Sequence, residues 1–311
     1  MTKISIIIPN YNHSEYLEQS LDSAVGQSSY PDEIVIIDDA STDNSREIIK
    51  KYENFKNVKC IYRRRNKGVL FNVNEGLKIS KGEFVLFLAA DDFLHPDILR
   101  EYRSLLDHYP EVGFFCSRYN KLFDNGRIYS DKVFSQIPTG YIPPMKAKNL
   151  IHKYGIWPWL SGNTILINKK KAIEHGGYDP LLQSYADGFL YINLAIRHGL
   201  VFVSKILSTH RKCRDSYSAS TIQDTNQLSL IESRTITLMR KDPEYFDHSF
   251  IKRWHNRWQH LKFTSHILYG KGSLLKKFIL SSFIFLRYRW FDVKNLRFEN
   301  VRSFLRAGKS E

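Results

Sequence analysis

Cysteine is scarce in this chain of 311 residues: Cys60, Cys116 and Cys213 are odd in number and far apart. They provide neither a disulfide framework nor a metal-ligand spacing, which fits a reducing compartment. Long apolar runs are lacking too. No stretch reaches the roughly 18 apolar residues of a membrane-spanning helix. The apolar opening Ile4–Ile8 stops at Pro9, too short for a signal-peptide core, so a cytoplasmic protein is expected. Glycine is missing where a dinucleotide-binding fold needs it. The first strand-to-helix turn reads Pro9-Asn10-Tyr11-Asn12-His13 and leaves a pyrophosphate no close approach to the backbone. Internal repeats, low-complexity tracts and nucleic-acid motifs are absent, and the last of these argues against a nucleic-acid partner.

What remains is an ordinary globular composition, 42% hydrophobic and 25% charged, with a net charge of +14 that is unevenly spread. Leu228 to Glu311 holds 17 Lys/Arg against 7 Asp/Glu, whereas residues 1–227 hold 29 against 25. Partners of the C-terminal part should therefore be anionic. Leu274–Leu286 is apolar apart from Ser281, Ser282 and the Lys276-Lys277 pair, and Arg287-Tyr288-Arg289-Trp290 follows. As a helix, such a run covers about 20 Å, short of a roughly 30 Å hydrocarbon core. It should lie in the head-group layer of an anionic membrane, or pack on the domain or a second subunit. The expectation is peripheral attachment to the inner face of the cytoplasmic membrane. The sequence sets no oligomeric state.

Residues 1–116 alternate strand-like and helix-like segments. The strand candidates are Ile4–Ile8, Ile34–Ile37, Val58–Tyr62, Phe84–Leu88 and Val112–Cys116. Helix candidates lie near Ser14–Val25, Asp43–Tyr52, Val69–Ile79 and Pro96–His108, with Ser41-Thr42-Asp43 as cap chemistry and Pro96 at a first helical position. This alternation predicts an α/β fold with a doubly wound, mostly parallel sheet. Beyond Ser117 the pattern loosens. Asp124-Asn125-Gly126 reads as a hairpin turn, while Pro143-Pro144 and Trp157-Pro158-Trp159 read as loops. A strand near Thr164–Ile167, a helix near Gly188–His198 ending at Gly199 and a strand Leu200–Val203 follow, and from about Leu228 the pattern is helical, basic and aromatic. The division expected is a domain over 1–225, with halves 1–116 and 117–225, and a helical appendage over 226–311.

Two acidic pairs close apolar runs: Asp38-Asp39 after Ile34–Ile37, and Asp91-Asp92 after the run from Phe84 to Ala90. The carboxyl ends of strands border the ligand crevice of an open α/β sheet. Adjacent carboxylates repel unless a cation or hydrogen-bond donors offset them, so a polar ligand with a divalent cation is expected there.

The segments Ile6-Ile7-Ile8-Pro9-Asn10-Tyr11-Asn12 and Asp38-Asp39-Ala40-Ser41-Thr42-Asp43 resemble the family 2 glycosyltransferases of the GT-A fold. Asn66-Lys67-Gly68, Gly82-Glu83-Phe84, Ala90-Asp91-Asp92, Gly176-Gly177-Tyr178-Asp179 and Ala186-Asp187 extend the likeness over roughly residues 3–210 in the family's order. The resemblance implies a GT-A fold and an inverting transfer of sugar from a nucleotide-diphosphate donor, a UDP-sugar, to a hydroxyl. The acceptor would be a glycan or lipid-linked saccharide of a surface polysaccharide pathway such as capsule or lipopolysaccharide.

By the same resemblance, Pro9 and Tyr11 border the base of the donor, Asp39 accepts from it, and Asp38 serves the ribose or holds the loop. Asn66 and Lys67 lie near the donor. Asp91 reaches a bound Mn²⁺ or Mg²⁺, hard cations that favour oxygen ligands and neutralise a departing diphosphate. The usual Asp-x-Asp is incomplete, because Ala89 stands where the first acid belongs. Asp92 either compensates as a metal ligand or caps the next segment. His210 is a further candidate for the metal site. Asp187 is the expected general base, with Ala186 replacing a frequent first acid. Arg63-Arg64-Arg65 fits either diphosphate contact or a solvated face. Trp157 and Trp159 fit either an acceptor platform or the core. The two alanines leave a non-catalytic nucleotide-sugar-binding protein as the alternative reading.

Overall fold

The computed structural model describes residues 2–130, 137–154, 162–212, 221 and 223–269. Trp157, Trp159 and Leu274–Leu286 lie outside the described residues. The chain begins β1 (Ile4–Asn10), α1 (Ser14–Val25), β2 (Glu33–Asp38), α2 (Ser45–Lys50), β3 (Val58–Tyr62), α3 (Val69–Ile79) and β4 (Phe84–Phe87). Then come β5 (Phe93–Leu94), α4 (Ile98–Leu106), β6 (Phe114–Phe123), β7 (Ile128–Ser130), β8 (Gly140–Ile142) and α5 (Pro144–Tyr154). After a 3-10 turn at Gly162–Thr164 follow β9 (Leu166–Asn168), α6 (Lys169–Glu174) and a 3-10 segment at Pro180–Tyr185. The described chain closes with α7 (Ala186–His198), β10 (Leu200–Lys212), α8 (Thr225–Arg240) and α9 (His248–Tyr269).

One ten-stranded sheet runs β3-β2-β1-β4-β9-β6-β10-β5, with β7 added to β6 and β8 to β10. Its first four strands are parallel, as the alternation predicts. The other half is mixed: β9 is antiparallel to β4 and β6, while β6 and β10 are parallel. Period-2 alternation divides the interior into two faces. Ile4, Ile6, Ile8, Ile34 and Ile36 point to the side covered by α1, α2 and α4. Ile7, Val35 and Ile37 point to the side covered by α3, α5, α6 and α7. That second core also contains Leu228, Ile231 and Met239 of α8 and Phe250, Trp254 and Trp258 of α9, so the C-terminal helices complete it.

Several local expectations need correction. Pro144 opens α5 rather than a loop, because its missing N–H falls among the helical donors that have no partner anyway. Pro96 lies two residues ahead of α4 and gives its carbonyl to the Ser28 N–H. The strand expected over Leu200–Val203 continues to Lys212, where register shifts between Val203 and Ser208 break the alternation. The hairpin at Asp124-Asn125-Gly126 does form, joining β6 to antiparallel β7 with Gly126 at φ +75°.

Candidate active site

The ends of β1 and β2 are locked together by side chains. Asp38 is fully buried and takes Arg46 Nε at 2.8 Å, Asn10 Nδ2 at 3.1 Å and the Ser41 N–H at 3.2 Å. These bonds tie the loop after β2 to the end of β1. Asn12 Oδ1 accepts from the Thr42 N–H, and Ser41 Oγ accepts from the Asn12 N–H. Asn12 and Ala40 adopt positive φ of 56° and 66°. For Ala40 this is a cost that its surroundings must hold in place. Pro9 sits opposite Ile37 in the same pairing, and Tyr11, 44% exposed, projects from the joined loops.

Asp39 is buried and closes the next wall. Its oxygens accept from the N–H groups of Lys67 at 2.9 Å and Gly68 at 2.8 Å, fixing the turn before α3. Gly68 there has φ +87°, a conformation that needs glycine. Asn66 and Lys67 are exposed, and the Lys67 ammonium lies 4.3 Å from the Phe71 ring centroid. Arg63, one of three arginines read as a diphosphate contact or, more often, a solvated face, turns inward to Asn72 at 2.6 Å and Glu75, with Asp39 at 3.6 Å.

The two members of the second acidic pair sit in different surroundings. β5 follows it directly and pairs with Ser208 and Thr209, which brings β10 alongside. Asp92, 3% exposed, then meets His210 Nδ1 at 3.0 Å, the Arg211 N–H at 2.7 Å and Asn163 Nδ2 at 3.1 Å. All these partners orient Asp92 as a support. A carboxylate on one ring nitrogen is how a metal-ligating histidine is ordinarily aimed. Asp91 faces a different environment. Burial and then the neighbouring Asp92 charge push its carboxyl above the usual range, and His13 and His210 oppose them. Arg211 fixes the outside of this cluster, with Nε on the Asp91 carbonyl at 3.1 Å and the guanidinium 4.3 Å from the Tyr16 ring centroid.

The donor set suits a hard divalent cation: a carboxylate at Asp91 whose charge burial and Asp92 disfavour, and an imidazole at His210 oriented by Asp92. Mg²⁺ and Mn²⁺ sites commonly take few protein ligands and complete their shell with substrate phosphate. Among the described residues no group of three or more His, Cys, Asp and Glu side chains could hold a metal, so protein ligands alone would leave the shell open.

Asp187 lies in the first turn of α7 without capping it, since the N-cap is Tyr185 and no side-chain cap bond forms. One oxygen takes the Gly188 N–H at 2.6 Å. The phenols of Tyr178, Tyr185 and Tyr191 are pushed upward by burial, and the Asp187 charge adds to each. Burial raises Asp187 itself to about 6, which suits a proton acceptor near neutral pH. Gly162 faces the carboxylate: a Cβ there would lie 3.9 Å from Asp187 Oδ2 and 3.8 Å from Tyr191 Oη. The next residue, Asn163, is the one bonded to Asp92. Two consecutive residues of one turn thus connect the base candidate with the acidic pair. Gly162, Asn163, Arg211 and the three tyrosines were not singled out from sequence. Of these, Tyr178 stands in Gly176-Gly177-Tyr178-Asp179 and Arg211 directly follows His210.

Comparison with known proteins identifies the family and the fold. The profile described as Glycosyl transferase family 2 matches residues 5–176. Poly(ribitol-phosphate) beta-N-acetylglucosaminyltransferase TarS of Staphylococcus aureus is 36% identical over 117 residues, 36% of this chain and 20% of TarS. An uncharacterized glycosyltransferase of Rickettsia conorii is 28% identical over 74% of this chain and 35% of its own length. The matches span only about a fifth to a third of these relatives. Among solved structures, TarS 1–349 in complex with UDP-GlcNAc superposes with a TM-score of 0.65 at 21% identity, over 88% of this chain and 77% of that one. The mannosyltransferase PcManGT of Pyrobaculum calidifontis, in complex with GDP-Man and Mn²⁺, gives 0.59 at 17% identity, over 97% and 83%.

Proposed function

This chain belongs to glycosyl transferase family 2, and we propose that it transfers one sugar from a UDP-sugar to a hydroxyl of a glycan or lipid-linked acceptor. Transfer proceeds by single displacement with inversion, in the building of a surface polymer. The observation that carries this reading is the Gly162-Asn163 turn, which sets a raised-pKa carboxylate and a cation-seeking acidic pair on two sides of one short element. An inverting transfer needs those two groups on opposite sides of the anomeric carbon.

In this reading Tyr11 lies against the base, with Pro9 behind it. Asp39 shapes the Lys67-Gly68 wall and offers its remaining lone pairs to a base N–H. Asp38 keeps the loop closed, and Asn66 and Lys67 stand at the donor's edge. Asp91 and His210 hold a divalent cation, with Asp92 orienting His210; when bound, that cation offsets charge developing on the departing diphosphate. Asp187 takes the proton from the acceptor hydroxyl as the new glycosidic bond forms, and Gly162 leaves room for that hydroxyl. Support for UDP comes from the TarS complex, and support for a divalent cation from the Mn²⁺ complex of PcManGT.

The test is donor hydrolysis across a panel of nucleotide sugars, with Mn²⁺, Mg²⁺ or EDTA, beside Asp91→Ala and Asp187→Asn. Nucleotide release from a UDP-sugar, lost with EDTA and with Asp91→Ala, supports the proposal. Neither binding nor release with any donor would overturn it, and tight binding without turnover in the presence of lipid-linked acceptors would favour a binding protein.

A further inference from the structure

The segment that carries Asp187 into the site is gripped from behind by the C-terminal helices. At its start, Asn74 of α3 pairs both backbone groups of Tyr178, at 2.7 and 2.9 Å. Asp179 then caps the Pro180–Tyr185 turn through the Leu181 N–H, and its second oxygen takes Arg234 of α8 at 2.8 Å. Inside the turn Gln183 stands at φ 49°, ψ −128°, a conformation that costs about 1–3 kcal/mol and persists only where the surroundings impose it. At its end the Tyr185 ring, 1% exposed, meets Trp258 edge-on at 5.2 Å and Trp254 at 5.8 Å.

Tyr185 has no slack on its other side. A Cβ at Gly188 would fall 2.7 Å from a Tyr185 ring carbon, so the ring presses directly on the first turn of α7. A ladder of rings closes around that turn. Phe189 stacks on Phe246 at 6.3 Å, Phe246 meets Phe250 at 5.5 Å, and Phe250 stacks on Trp254 at 6.4 Å. The helix carrying the tryptophans is itself anchored. Arg257 donates to the carbonyls of Ile151 and His152 at 2.9 and 2.7 Å, and buried Glu232 of α8 takes His255, Gln259 and Lys262.

We infer that Tyr185 is a positioning residue for Asp187, wedged in place by Trp254 and Trp258, and that the C-terminal helix pair is thereby part of the machinery that presents the base. This rests on Asp187 being the base proposed above. The wedge touches the first turn of α7, which carries the partly exposed Asp187 carboxylate. Among the described residues, the titratable and charged groups around Asp187 are the phenols of Tyr178, Tyr185 and Tyr191, with Arg257 of α9 behind Tyr185. Loosening the wedge admits water to the carboxylate and lowers its proton affinity.

The experiment uses the full chain with Trp258→Leu, Trp258→Phe and, from the opposite side, Gly188→Ala. Two readouts are taken: the Asp187 carboxyl titration by ¹³C NMR, assigned with Asp187→Asn, and kcat and KM for the donor across pH. Trp258→Leu and Gly188→Ala are expected to move the Asp187 midpoint by half a pH unit or more. Trp258→Leu should move it down and lower kcat at least tenfold, with donor KM changed less than twofold; Trp258→Phe should restore both to near wild type. If Trp258→Leu or Gly188→Ala keeps the native fold by circular dichroism and leaves the midpoint unmoved, the inference is overturned. The NMR readout needs no turnover: a shifted midpoint in a chain that neither binds nor hydrolyses any donor would sink the proposed function and leave the positioning relation standing.

Discussion

At the scale of the residue, Asp187 ties function to stability with opposite signs. Its folded pKa of about 6 lies above the ordinary 3.8 because burial disfavours the charged form. Between those values the folded state holds a proton that the unfolded chain has released, so this group's contribution to stability is complete below about pH 4 and lost as pH rises through 6. The shift corresponds to about 2–3 kcal/mol at pH 7. Asp187→Asn should therefore unfold at higher temperature than wild type at pH 7 and show no advantage at pH 4, as scanning calorimetry at both pH values would reveal. The same variant should lose about 10²–10⁴-fold in kcat, the range of a missing general base. A variant with wild-type turnover would remove Asp187 from the chemistry. At the other end of the site, the proposed reading has Asp92 act through His210 and Asp91 act directly. Asp92→Asn should weaken Mn²⁺ activation of donor hydrolysis by about 10–100-fold, recoverable at high Mn²⁺, as supporting carboxylates commonly do. Asp91→Ala should not recover at any Mn²⁺ concentration, and a metal titration of both variants separates the two roles.

At the scale of the element, close approach of helix to sheet sets what each position tolerates. Gly76 of α3 lies so near β1 that a Cβ would come within 2.5 Å of Ile7 Cγ2. Alanine is worth about 1 kcal/mol more than glycine in an exposed helix, yet Gly76→Ala should destabilise by about 1–3 kcal/mol, the cost of overpacking a filled core. Urea unfolding gives the sign directly, and a more stable Gly76→Ala would mean that α3 can lift from the sheet. The elements with strong local signals were legible in advance. Ser14–Val25 and Val69–Ile79 have one apolar face and match α1 and α3 end to end, and the apolar runs Ile34–Ile37 within β2 and Phe84–Phe87 of β4 read as buried parallel strands. β10 was legible only over its apolar start. Its second half carries Ser208, Thr209, His210, Arg211 and Lys212, and a bulge shifts the period that would mark a strand. The site divides along the same physical line. Strand-end acids announce themselves locally, whereas Asp92 meets Asn163 across 71 positions and His210 across 118, separations on which no periodicity reports.

At the scale of the whole molecule, charge and core are distributed differently along the chain. The C-terminal helices carry much of the positive charge, yet their apolar side joins the core that backs the sheet, with Trp254 and Trp258 2% and 3% exposed. Those aromatics are therefore spent inside the protein. No helix among the described residues is long and apolar enough to cross a membrane. A membrane contact would thus fall to residues 270–311, which contain ten Lys/Arg against three Asp/Glu and the apolar run Leu274–Leu286. Each basic side chain near an anionic surface contributes about 1 kcal/mol, and salt screens that contribution within a Debye length. The full chain should accordingly float with vesicles containing anionic lipid at low salt, release at about 0.5 M NaCl, and ignore neutral vesicles. A chain ending at Tyr269 keeps α9 and its tryptophans, and should stay in the supernatant while still hydrolysing donor. Flotation of the shortened chain would move the contact onto the folded body. No flotation of the full chain would leave the basic tail for another anionic partner, and a lipid-linked acceptor would then have to be captured by the site alone.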